Sequence, residues 1–113
     1  MAKTYASRKA KGRRLQQEVV KKILEAFPSL SEKDVVSVPM GVSSSDVMLS
    51  EQAQSVFNYA IECKNTEKLS IWKSIEQCER ESRDGIPLLI FKRNRSDVYC
   101  CLKFDNFLSL IKE

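Results

Sequence analysis

The sequence predicts an α/β fold, a single domain in which a mixed central sheet of about five strands is flanked by helices. Three observations lead there. Apolar residues recur at helical spacing up to Phe27, five later segments have strand character, and a helical stretch at 70–84 is long enough to carry the chain from one strand to a parallel neighbour. A length of 113 residues holds one core and no second lobe, so one compact site is expected.

Residues 1–9 are polar and read as a flexible basic arm, with the domain proper over 10–113. From Lys11 to Phe27, the residues Leu15, Val19, Val20, Ile23, Leu24 and Phe27 form the apolar stripe of an amphipathic helix that ends at Pro28. Val35–Pro39 is the first strand. Gly41 and the serines at 43–45 make a turn, Asp46–Leu49 is a second short strand, and Ser50–Val56 is a helical turn leading to a strand at 57–64. Ile71, Ile75 and Cys78 set the periodicity of the helix at 70–84, for which Gly85 is the expected C-cap. Ile86 to Phe91 is a near-continuous apolar run, as a strand covered on both faces requires. The polar turn Arg93-Asn94-Arg95-Ser96 joins it to a strand at 97–104, and Asp105 is the expected N-cap of a last helix at 105–112.

Net charge is +4, but residues 1–22 hold eight basic side chains against Glu18 alone. Such an arm suits a phosphate backbone, which releases a counterion for each phosphate neutralised; it also suits a merely solvated tail. No run approaches the roughly 20 apolar residues of a membrane span, and the basic N-terminus lacks the apolar core of a secretory signal. The expectation is a cytoplasmic protein, in the host cytoplasm if viral. Cys63, Cys78, Cys100 and Cys101 show no C-x-x-C spacing and the chain has no histidine, which removes the usual zinc frameworks and the Ser-His and Cys-His nucleophiles. The thiols read as small core-filling groups in a reducing cytosol. Any general base is then a carboxylate, a lysine or a metal-bound water.

One stretch suits chemistry. In the strand containing Tyr59-Ala60-Ile61-Glu62-Cys63-Lys64, alternation places Ala60, Glu62 and Lys64 on one face and Tyr59, Ile61 and Cys63 on the other. A carboxylate and an ammonium are thereby neighbours, with a small residue beside them that leaves room for a phosphate. Asp46 lies where a second carboxylate could meet the first. Two such acids can hold Mg²⁺ or Mn²⁺, hard ions that prefer oxygen, and the peptide carbonyl of Cys63 offers a third ligand. Lys64 would then orient water or stabilise charge on phosphorus. Taken alone, E-x-K is better read as an exposed same-face ion pair of little energetic weight.

The surroundings add weight. A helix, a turn carrying an acid, a strand ending in E-x-K, a crossover helix and two further strands, together spanning about residues 11–104, resemble the PD-(D/E)XK nuclease superfamily with its restriction-endonuclease-like domain. The layout is most similar to the small archaeal and phage Holliday-junction resolvases, with Lys11-Gly12 standing where such proteins carry a K-G segment. The resemblance implies a homodimer that cuts branched or junction DNA by means of a metal-activated water. It makes Asp46 and Glu62 metal ligands and Lys64 the catalytic lysine. Ser45 stands where the motif has proline. A glutamate expected on the first helix is missing: Gln16 falls near the middle of the apolar stripe and Glu18 off it, so Gln16 is the fourth candidate and Glu18 the fallback. A neutral fourth residue favours one metal over two.

DNA contacts are assigned to Lys9, Lys11, Arg13, Arg14, Ser44, Ser45, Lys68 and Lys73. For the serines, plain turn formation is the competing reading, and for Lys68 and Lys73 a solvated face. Trp72 is read as a core or dimer-interface anchor before a base-stacking platform, and Gln77 as a polar helper set opposite Ile71 and Ile75. A nicking or restriction-like nuclease shares these residues. A non-catalytic DNA-binding module has no need for acids facing phosphates, and a protein-interaction domain leaves the basic arm unexplained.

Overall fold

A computed structural model describes residues 4–39, 45–83 and 85–113. Helix α1 runs from Tyr5 to Ala26, starting six residues before the expected Lys11 because Thr4 caps it, its Oγ1 accepting from the Ser7 N–H at 3.0 Å. Phe27 closes it with an N–H to Ile23 O bond of 2.9 Å, and Pro28, with no N–H to donate, ends it. Its buried stripe of Leu15, Val19 and Ile23, at i, i+4 and i+8, packs on strands β1 (Val35–Ser37) and β3 (Tyr59–Asn65).

The single five-stranded sheet expected from the sequence is replaced by two. Strand β1 pairs antiparallel with β2 (Val47–Leu49), Val35 opposite Leu49 and Ser37 opposite Val47. Strand β3 pairs parallel with β4 (Ile86–Lys92) over seven residues, Glu62 opposite Leu89, and β4 pairs antiparallel with the short β5 (Tyr99–Cys101). Between β2 and β3 the ladder is not continued, and the reason is local. The Asp46 N–H donates to Ile61 O at 3.1 Å, but the next donor on that edge of β3, the Cys63 N–H, is taken by the Asp46 carboxylate at 2.6 Å. A side chain therefore stands where a strand carbonyl would. Val38 N–H completes the junction by donating to Asp46 O at 2.9 Å.

Helix α2 (Glu51–Val56) is capped by Ser50, whose Oγ accepts from the Ala53 N–H at 3.1 Å and donates to Asp34 Oδ1 at 2.7 Å, tying the helix to the start of β1. Helix α3 (Ile71–Glu81) makes the crossover from β3 to β4. It ends on Ser82 in an extended conformation, so Gly85 is not its cap. Gly85 instead turns the chain into β4 at φ +94°, where an added Cβ would stand 3.1 Å from Asn58 O, the acceptor of the Ile86 N–H. Helix α4 (Phe104–Ile111) is preceded by Lys103, which forms no side-chain cap; Asp105 lies inside the first turn and not at the N-cap. No residue of α4 is buried. The core lies between α1 and the sheets, around Leu15, Val35 and Ile61, each 1% exposed; Leu89, equally buried, lies on the other face of β4, toward α3. All four thiols are free, Cys63 and Cys78 buried, and no helix among the described residues is long and apolar enough to cross a membrane.

Candidate active site

Strand β3 and helix α3 build the site between them. Alternation along β3 turns Glu62 and Lys64 toward α3, while Ile61 and Cys63 face α1. Glu62 is 5% exposed, and its Oε1 lies 3.9 Å from Lys64 Nζ. Asp46 reaches β3 from the other edge through the Cys63 N–H. The Cys63 carbonyl leaves β3 on the same edge as that N–H, beside Asp46. Asp46, Glu62 and Lys64 are thus brought together.

Two further residues join them from α3. Lys64 Nζ donates to Gln77 Oε1 at 2.8 Å, and Gln77 Nε2 donates to Glu62 Oε1 at 3.5 Å and to Glu81 Oε1 and Oε2 at 3.3 and 3.4 Å. The sequence reading set Gln77 away from the sheet and left out Glu81. The cause is the face that α3 presents. The isoleucines at 71 and 75 suggested one stripe, whereas the helix packs through Ser74 and Cys78, both buried, with Gln77 and Glu81 alongside at i+3 and i+7 from Ser74. Small residues allow the close approach: Cys78 Sγ lies 4.0 Å from Ala60 O. A polar residue at i+3 from a small one, repeated a turn later, was the available signal.

Electrostatics follow from this crowding. Burial, then a hydrogen bond shared with Glu81, then the charges of Asp46 and Glu81 push the Glu62 carboxyl up to about 9, with Lys64 pulling the other way. Burial also raises Asp46, opposed by the Cys63 N–H, by Glu62 and by Lys64. Burial raises Cys78 to about 11, and burial with the two adjacent acids lifts Cys63 as well, so neither is a ready thiolate.

The other expected residues are dispersed. Gln16 is 5% exposed, but its Oε1 accepts from Ser37 Oγ at 2.9 Å, a bond to β1 rather than to the acids. Glu18 pairs with Lys22 at 3.9 Å on α1 and lines a cleft with Arg14, Lys92 and Arg95 whose lining does not include Glu62. Lys11 is 6% exposed with its Nζ 3.9 Å from Glu67: its stem packs against α1's neighbours, its ammonium meets an acid, and it lines the same cleft as Arg14. Lys9 and Arg13 line a pocket of about 180 Å³ with Gln16 and Ser37. Arg14 lines a second one, of about 260 Å³, with Asn65, Lys92 and Arg95. Lys68 and Lys73 are exposed beyond β3, Ser45 is half-buried next to Asp46, and Ser44 lies outside the described residues.

Among the described residues no three His, Cys, Asp or Glu side chains gather closely enough to hold a metal by themselves. Comparison with curated proteins and with solved structures gives no match. A family model does match, over residues 7–113: that of the phage putative PDDEXK endonucleases, within the PD-(D/E)XK superfamily. With nearly the whole length covered and the acid, E-x-K strand and crossover helix in place, this chain belongs to that family.

Proposed function

We propose that the chain is a divalent-metal-dependent DNA endonuclease that hydrolyses phosphodiester bonds at Asp46, Glu62 and Lys64, with branched or junction DNA as its preferred substrate. The observation that carries this reading is the convergence at β3 of two desolvated carboxylates, Asp46 and Glu62, with one ammonium, that of Lys64, 3.9 Å from Glu62. The donor set fits a hard cation. Both acids offer oxygen; burial raises both carboxyls, the charges of Asp46 and Glu81 raise Glu62 further, and a bound cation would lower them. Two carboxylates, with no third acid clustered on them among the described residues, suit Mg²⁺ or Mn²⁺, which complete their shells with water and substrate phosphate. Asp46 and Glu62 would hold the ion, with the Cys63 carbonyl as a third donor. When bound, it supplies Lewis-acid charge at the phosphoryl oxygens and makes water more acidic.

The chain's own residues do the rest. Lys64, held by Gln77, presents its ammonium to the scissile phosphate and stabilises the charge that develops there. Ala60, two residues before Glu62 on the same face, is covered by Cys78, and its small side chain lets α3 close on β3 and bring Gln77 to Lys64. The basic residues Lys9, Arg13 and Arg14 along α1 take the flanking backbone. A homodimer, which paired cuts across a two-fold junction require, is supported by the exposed apolar side chains of Trp72, Phe104, Leu110 and Ile111.

The test is direct. Purified protein is incubated with a four-way junction, a matched duplex and single-stranded DNA, each with Mg²⁺, with Mn²⁺ and with chelator. Paired symmetric nicks confined to the junction are expected, abolished by chelator and reduced at least about a hundredfold by Asp46→Ala and by Lys64→Ala. Cleavage of duplex alone would transfer the reading to a nicking or restriction-like nuclease; DNA binding with no metal-dependent cleavage would sink the enzyme.

A further inference from the structure

We infer that Glu81 is a positioning residue of this site: by holding the side-chain amide of Gln77 it directs Gln77 Oε1 onto Lys64. The inference rests on the reading that Lys64 works on the scissile phosphate. Gln77 and Glu81 lie one turn apart on α3, the spacing at which side chains on a helix meet, and Gln77 Nε2 donates to both carboxylate oxygens of Glu81 at 3.3 and 3.4 Å. An amide presents a carbonyl on one side and an NH₂ on the other. Turned over, Gln77 would set its NH₂ against the Lys64 ammonium and its carbonyl against the Glu81 carboxylate, losing both of those bonds.

In the observed sense both are satisfied. Lys64 sits 2.8 Å from Gln77 Oε1 but 3.9 Å from Glu62, so its ammonium takes its direction from the amide more than from the carboxylate. The amide in turn takes its direction from Glu81, since its approach to Glu62 is the longest of its bonds at 3.5 Å. Glu62 and Asp46 also face Glu81 electrostatically, yet the three acids do not form a ligand cluster among the described residues. That favours a hydrogen-bonding part for Glu81 over direct metal ligation. Its use is entropic: a long, flexible lysine is held in one place before substrate arrives.

Glu81→Gln and Glu81→Ala separate the possibilities, because glutamine keeps an acceptor oxygen at the same reach and loses only the charge. With Glu81→Ala, kcat on the cleaved DNA is expected to fall about tenfold with KM unchanged, and Glu81→Gln to restore at least a third of the wild-type rate. The second readout needs no cleavage: in ¹⁵N NMR spectra of the metal-free protein, the Gln77 side-chain amide, assigned by its loss in Gln77→Leu, should have dispersed shifts in wild type and Glu81→Gln and averaged shifts in Glu81→Ala. A Gln77 amide unchanged in Glu81→Ala overturns the inference, and so does a Glu81→Gln loss as deep as that of Glu81→Ala. A protein that cleaves nothing while the amide shifts behave as expected would instead fail the nuclease reading alone.

Discussion

Glu62 has 5% of its surface exposed and shares its surroundings with two other carboxyls and a single ammonium. Its folded-state value, pushed up to about 9, lies above its ordinary 4.5, so the native protein keeps a proton that the unfolded chain gives up. The stability tied to that proton is present in full below the ordinary value and is lost as pH rises toward the folded one. In chelator, the wild-type melting temperature should therefore decline from about pH 5 to about pH 9, while Glu62→Gln declines less and is the more stable protein at the alkaline end by about 1–2 kcal/mol. Parallel curves for the two proteins in a thermal melt series would refute this. Added Mg²⁺ should lift the wild type and leave Glu62→Gln nearly unmoved, because only the carboxylate has something to gain. The residue is thus costly to the empty fold, and the cost is the mark of a site. Period-two alternation puts Glu62 and Lys64 on one face, whereas Asp46, on another segment, joins them in the sequence only through its turn and the family resemblance. Glu81 was not legible: its contribution depends on how α3 is rotated, and rotation is set by packing rather than by the pattern of isoleucines.

Among the elements, those written by strong local rules came through and those written by tertiary contacts did not. Helix α1, the β3–α3–β4 crossover and the parallel pairing follow from a sustained apolar stripe, a long continuous run and a connection of the necessary length. The ends of elements were less legible. Thr4 extends α1 through a single hydroxyl, β5 shrinks to three residues, and α4 begins without a side-chain cap. The division of the sheet had no sequence signature at all, because it arises where the Asp46 side chain takes a donor that pattern rules assign to a strand. Gly85 does not cap α3, as its position after the apolar stripe suggests; it admits the chain into β4. Gly85→Ala should cost about 1–3 kcal/mol, since alanine at φ +94° is strained and its Cβ meets Asn58 O at 3.1 Å. Urea denaturation should show a lower midpoint with an unchanged slope; an unaltered midpoint would mean that the turn relaxes freely.

For the molecule as a whole, the arrangement of charge matters more than its sum. The described residues extend over 48 × 30 × 25 Å, and two basic clefts flank α1, one with Lys9 and Arg13, the other with Arg14, Lys92 and Arg95. If both clefts hold backbone, replacing Arg13 and Arg14 together by alanine should weaken binding to every DNA tested and flatten the dependence of log affinity on log salt by about two. A titration series in chelator measures this, and a slope identical to wild type removes these arginines from the interface. Asp46 has a different bearing on the whole. It is the rivet between the two sheets, joined by its main chain to Val38, just past β1, and to Ile61 of β3, and by its carboxylate to Cys63. Most substitutions that silence cleavage here would also loosen the joint between the sheets, so a lineage drifting toward mere DNA binding has a narrow exit. Asp46→Asn, which keeps an acceptor for Cys63, is the passage that leaves the architecture standing.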